Sequence, residues 1–312
     1  MNYLLNYDLK NEFANINYRE AENPIEKFLI YKSIKTDIGN IDVYNNAKVK
    51  REKDKQLYVA IEDPDWKSNN EGILKFVYSL SGMRNKYNPL SDAMTSILTP
   101  IASAYELFLE PDLKANNKYG NKRITIKQLL EMRASKDYDI INKLTEIKEL
   151  KEFAQLGFTI GNYIPVPPGF NCERSNGGKN DSWDLTLMKL CEWFKKEDDD
   201  VIFIDLLHNK CGKKENVLNW LKSYGNKENG WENFIIKNYL QDFVDEDLNP
   251  IEFCDNHNWE HINIDDPVKY MCTCSKCICK RGERIIANIK QHTVDEEMKY
   301  FQTMIDKLNV KF

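Results

Sequence analysis

The sequence predicts a helix-predominant α+β protein with a small, irregular, Cys/His-rich C-terminal module. Three observations lead there. Apolar residues recur at three- and four-residue spacing in several stretches between 89 and 247, the period of helices with one buried face. Runs rich in β-branched and aromatic residues gather in 25–61, as strands do. Four of the eight cysteines fall between 272 and 279. The 312 residues allow one or two domains. With 42% hydrophobic and 30% charged residues, the chain has enough apolar material for a core and is not of disordered composition.

In chain order, "KFLIYKSI" and "QLYVAI" read as strands, with "EDPDW" (62–66) as a breaker. From Pro89 to Leu109 the spacing of Leu90, Ala93, Met94, Ile97, Leu98 and Ile101 predicts an amphipathic helix broken near Pro100. A short helix from Thr125 and a longer one through Phe153 follow, so 89–155 is helical. "FTIGNYIPVPP" is strand-like, and its prolines keep it short or at a sheet edge. Ser182 is the expected N-cap of "WDLTLMKLCEWFKK", with Asp184 in the first turn, where a carboxylate suits the helix dipole. "VIFIDLL" (201–207) is a strand or a helix start. Two further helices, the first ended by Gly225, complete a body spanning 1–247, with 156–194 as its motif region and 195–247 mainly helical. Residues 248–312 form the Cys/His-rich module, closed by an amphipathic helix over about 294–308.

In that module Cys254 and His257 have C-x2-H spacing, and Cys274 and Cys277 have C-x2-C spacing, 16 residues further on. Two such pairs suit a tetrahedral structural Zn2+. Cys272, Cys279 and His261 are alternate ligands. Unpaired thiols, a redox pair or disulfides are the competing readings. A cytoplasmic chain keeps its thiols reduced, and the N-terminus "MNYLLNYDLKNEF" lacks the pattern of a signal peptide. No apolar window is long enough for a membrane helix, so no membrane partner is expected.

The formal charge is −5, which argues against whole-surface attraction to nucleic acid. The stretch 268–290 is the exception, with six basic residues against Glu283 alone. Lys276, Lys280, Arg281 and Arg284 are therefore the candidate nucleic-acid contacts. A solvated basic surface is the bland alternative.

The stretch "LGFTIGNYIPVPPGFNCERSNGGKNDSWDLTLMKLCEWF" (156–194) sets Asn171, Arg174, Asp181 and Asp184 around a Gly/Pro-framed loop and a helix start. Arg174 and Asp184 suit a bidentate ion pair holding the loop to the helix. Equally, Arg174 suits a phosphate, and Asp181 or Asp184 a metal or a proton. These four are the catalytic candidates. There is no P-loop, H-E-x-x-H, G-x-S-x-G or G-x-G-x-x-G pattern.

The stretch resembles the signature of a widespread family of uncharacterised bacterial proteins, in which "TIGG…P…N…R…D…DLTL" precedes an aromatic-ended helix. The resemblance covers about 150–245, with a departure at Asn162, where that pattern has glycine, and in the Cys-rich tail. A fainter likeness joins "IGN" to the GmrSD-type nuclease domain, an HNH relative. That domain needs an upstream Asp-His pair, and no histidine precedes His208. The resemblance implies a bacterial or mobile-element setting, with phage–host conflict as one role, but brings no activity. The expected function is a binding or regulatory protein whose zinc-stabilised basic module contacts nucleic acid, a nucleoprotein or another protein. The alternative is an enzyme on a phosphate-bearing substrate, a nuclease or nucleotide-modifying effector, using Asn171, Arg174 and Asp184.

Overall fold

The computed structural model describes 138–157, 159–167, 182–196, 214–257 and 265–292, the strand 90–93, and the single positions Asn23, Ile25, Ile101, Ala104 and Phe170. Among these residues helix predominates, and one two-stranded antiparallel sheet is present. Strand β1 (Leu90–Ala93) pairs with β2 (Tyr163–Val166), Leu90 opposite Val166 and Ala93 opposite Tyr163. The helices are α1 (Tyr138–Glu146), α2 (Lys148–Leu156), α3 (Trp183–Lys195), α4 (Lys214–Lys222), α5 (Gly230–Lys237) and α6 (Asp265–His292). The helix expected from Pro89 thus begins as a strand: β2 offers residues 90–93 a ladder, and tertiary pairing overrides the local period. The region read as strands over 25–61 lies outside the described residues, apart from a helical Ile25. So do 201–207 and the expected terminal helix.

The largest departure concerns the C-terminal module. The segment read as an irregular zinc knuckle is helical from Asp265 to His292. Pro267 sits in its first turn, where a missing N–H costs nothing. Met271, Cys274, Ile278, Arg281 and Ile285 are all buried, and they recur at three, four, three and four residues. That is a helical stripe in which cysteine acts as a small hydrophobe. α6 packs against α2, against the 3-10 turn Ile160–Asn162 and against a second 3-10 turn, Gln241–Phe243. α6 thus packs on elements that precede the boundary drawn at 247/248.

Aromatic rings tie the layers together. Trp183 lies 4.6 Å from Phe243, Phe243 lies 6.1 Å from Phe253, and Tyr270 of α6 contacts both Phe253 and Phe153 of α2. A second cluster joins α3, α4 and α5 through Phe194, Trp220, Tyr224, Trp231 and Phe234. Between α5 and α6 the chain makes a tight turn. Asp245 Oδ1 accepts the N–H of Asp247 at 3.0 Å and of Asn249 at 2.8 Å, and Trp231 Nε1 donates to Leu248 O at 2.7 Å. Val244 then bridges Pro250, which returns the chain towards the start of α3.

Candidate functional site: the Asp184–His257 pair and the outer face of the last helix

The first feature grows from the start of α3. Ser182 has the extended backbone of an N-cap, yet its hydroxyl donates to Asp184 Oδ1 rather than capping a main-chain N–H. Asp184 Oδ1 also accepts Leu185 N–H at 2.9 Å, so the aspartate side chain engages the open helix end itself. Its other oxygen, Oδ2, accepts Phe253 N–H at 2.9 Å and lies 2.7 Å from His257 Nε2, 73 residues away in sequence. The Asp184 side chain is wholly buried, whereas His257 is 16% exposed.

Burial alone would push the Asp184 carboxyl up; His257, Ser182 and the Phe253 amide outweigh it and hold the carboxyl below its ordinary value. Burial would push His257 down, but hydrogen bonds to Asp184 and Cys254 outweigh it and raise the imidazole to about 10. At neutral pH the pair is imidazolium and carboxylate. His257 is then a cation held against the first turn of α3. A metal or substrate would have to displace four donors from Asp184. Asn171, Arg174 and Asp181 lie outside the described residues, and so does the expected Arg174–Asp184 ion pair.

The expected zinc ligands are placed as two pairs. Cys254 is buried beside His257, and its thiol lies 3.5 Å from Asn256 O. Cys274 and Cys277 are buried one turn apart on α6. Burial, together with Asp242, pushes the Cys277 thiol up to about 12, and it donates to Asp242 O at 3.1 Å. Burial likewise raises the alternates Cys272 and Cys279. Among the described residues no group of three or more His, Cys, Asp or Glu is arranged to hold a metal ion. His261 is outside them.

The basic candidates separate. Arg281, expected as a surface contact, is fully buried. Its Nε donates to Asn238 O at 2.9 Å, and its Nη1 donates to Gly161 O at 2.8 Å and Tyr163 O at 2.7 Å. The guanidinium lies 5.3 Å from the Trp183 ring centre, within cation–π range. It is an internal anchor that joins α6 to the "TIGNY" turn, to the end of α5 and to α3. Lys276, Lys280 and Arg284 are exposed and follow one another at four-residue steps along the outer face of α6. That is a line of cations about 12 Å long. Beneath them lies Asp242, which sequence reasoning missed: its Oδ1 is 3.4 Å from Lys280 Nζ and its Oδ2 2.5 Å from Arg284 Nε. Nothing in the pattern "LQDFVD" marks it, since the pairing spans 42 residues. Lys269, a turn and more upstream, pairs with Asp255 at 2.6 Å.

Among the described residues no helix is long and apolar enough to cross a membrane. No family model, curated protein or solved structure matches the chain, so its own geometry carries the functional argument.

Proposed function

We propose that the protein is a binding protein that presents the outer face of α6 to nucleic acid. One observation carries the reading: Lys276, Lys280 and Arg284 stand exposed in a row on a helix locked into the core by the buried Arg281. A rigid row of cations in a chain of net charge −5 concentrates positive potential at one place, and phosphate backbones are held by such rows. The reading does not lean on zinc, because internal packing and Arg281 supply the rigidity a metal would have brought. It is preferred over an enzyme on a phosphate-bearing substrate because Asp184, the one described member of that candidate set, already has both carboxylate oxygens engaged by Ser182, Leu185, Phe253 and His257.

Fluorescence anisotropy with a labelled 20-base-pair DNA and a 20-nucleotide single-stranded RNA, across a salt series, tests the reading. Binding is expected at low salt, and the slope of log affinity against log salt is expected to shallow by about 1 for each of Lys276→Ala, Lys280→Ala and Arg284→Ala. Absence of binding at low salt, or binding indifferent to all three substitutions, overturns it.

A further inference from the structure

We infer that Asp242 is a built-in counter-ion that restrains the basic face of α6, and that a phosphodiester backbone binds there by taking Lys280 and Arg284 away from it. The inference rests on the nucleic-acid reading above and adds its regulation.

The geometry is asymmetric. The Asp242 side chain is only 12% exposed, while Lys280 is 64% and Arg284 45% exposed. Asp242 belongs to the 3-10 turn Gln241–Phe243, which packs on α6, and its main-chain carbonyl accepts the Cys277 thiol. Leu240 and Phe243 on either side are buried. The acid is therefore set in place by the core, and the two cations fold down onto it from solvent. A phosphate arriving from outside meets the cations first, and the carboxylate need not move.

One carboxylate shared by two cations leaves a net single charge at that spot, so two of the three residues in the row are half-neutralised at rest. The restraint is weak, because exposed ion pairs gain little over hydration. Arg284 engages Asp242 through Nε, and among the described residues its terminal nitrogens make no other bond. A guanidinium in that state retains donors for phosphate oxygens. Backbone phosphates offer a denser line of negative charge than a single carboxylate and release counter-ions on binding, so they win the exchange at low salt and lose it as salt rises. The contact thus sets a threshold. Isolated anions do not displace Asp242, whereas a polyanion that reaches Lys276, Lys280 and Arg284 together does.

The test compares wild type, Asp242→Asn, Lys280→Ala/Arg284→Ala and the triple variant for binding the same DNA and RNA probes, with polyglutamate as an acidic-polypeptide control. Circular dichroism and thermal melting confirm that each is folded. Asparagine keeps an acceptor for Arg284 and removes the charge, and Asp242→Ser replaces it if Asp242→Asn fails to fold. Asp242→Asn is expected to bind about fivefold tighter at low salt, a gain that fades as salt is raised and vanishes in the Lys280→Ala/Arg284→Ala background. If wild type binds through Lys280 and Arg284 but Asp242→Asn binds no tighter, the counter-ion role is overturned and the nucleic-acid reading stands. If neither binds nucleic acid, or if polyglutamate binds as well as the probes do, both fall.

Discussion

Gly161 shows how much one side chain can decide. A Cβ at that position would lie 2.1 Å from the main-chain oxygen of Ile278 on α6, so only a residue without one lets the "TIGN" turn reach the helix. The next residue, Asn162, is buried, accepts Trp183 Nε1 at 3.0 Å and donates to Gly157 O at 2.9 Å. Asn162 is thus a bridge between the turn and α3. Gly161→Ala is expected to force α6 away and to cost about 1–3 kcal/mol or more, read as a lower midpoint in urea unfolding. An unchanged midpoint would mean the turn and α6 do not touch. Cysteine teaches the converse. Cys274 and Cys277 carry the spacing of ligands, and the helix sets both among apolar neighbours, where a thiol also packs as a small hydrophobe.

The elements are joined by polar links that span long sequence distances, and the Asp184–His257 pair is the one most open to test by pH. His257 is raised from an ordinary 6.5 to about 10 in the folded chain. A group whose folded pKa lies above its unfolded value stabilises fully below the unfolded value and loses that contribution as pH climbs through the folded one. The loss therefore falls between about pH 6.5 and 10. Asp184, held low, contributes above its ordinary value near 3.8 and loses this only as pH falls below it. Unfolding free energies at pH 6, 8 and 10 for wild type and His257→Gln should converge as pH rises, since the pair is lost in one and already absent in the other. A gap constant with pH would show that His257 is not held as a cation. The same link attaches the 251–257 segment, just upstream of α6, to the first turn of α3.

Across the whole molecule, α6 belongs to the core of the body. It contacts α2 and both 3-10 turns, and through Arg281 it ties together the main chain at Gly161, Tyr163 and Asn238. A fragment ending at residue 247 should therefore lose cooperative unfolding, because Phe153 would lose Tyr270, Phe243 would lose Phe253, and the Gly161 turn would lose Ile278 and Arg281 as partners. Thermal melting of residues 1–247 beside the full chain checks this. A sharp transition in the fragment would show that residues 1–247 fold without α6.

Much of this architecture is local in origin and was readable as such. The helix from Trp183, the stop at Gly225 (φ of 130°) and the short strand at "YIPV" follow from an acidic first turn, backbone freedom and proline chemistry acting within a few residues. The basic clustering near 276–284 was legible as well, because charge counts need no coordinates. What tertiary structure alone decided is which groups meet. It paired 90–93 with 163–166, turned Arg281 inward while leaving Lys280 and Arg284 outward, and set His257 on Asp184 and Asp242 beneath the cations. The physical reason is that burial and long-range pairing depend on what lies opposite a residue in space. An arginine or a cysteine reads the same in sequence whether its helix turns it to water or to the core.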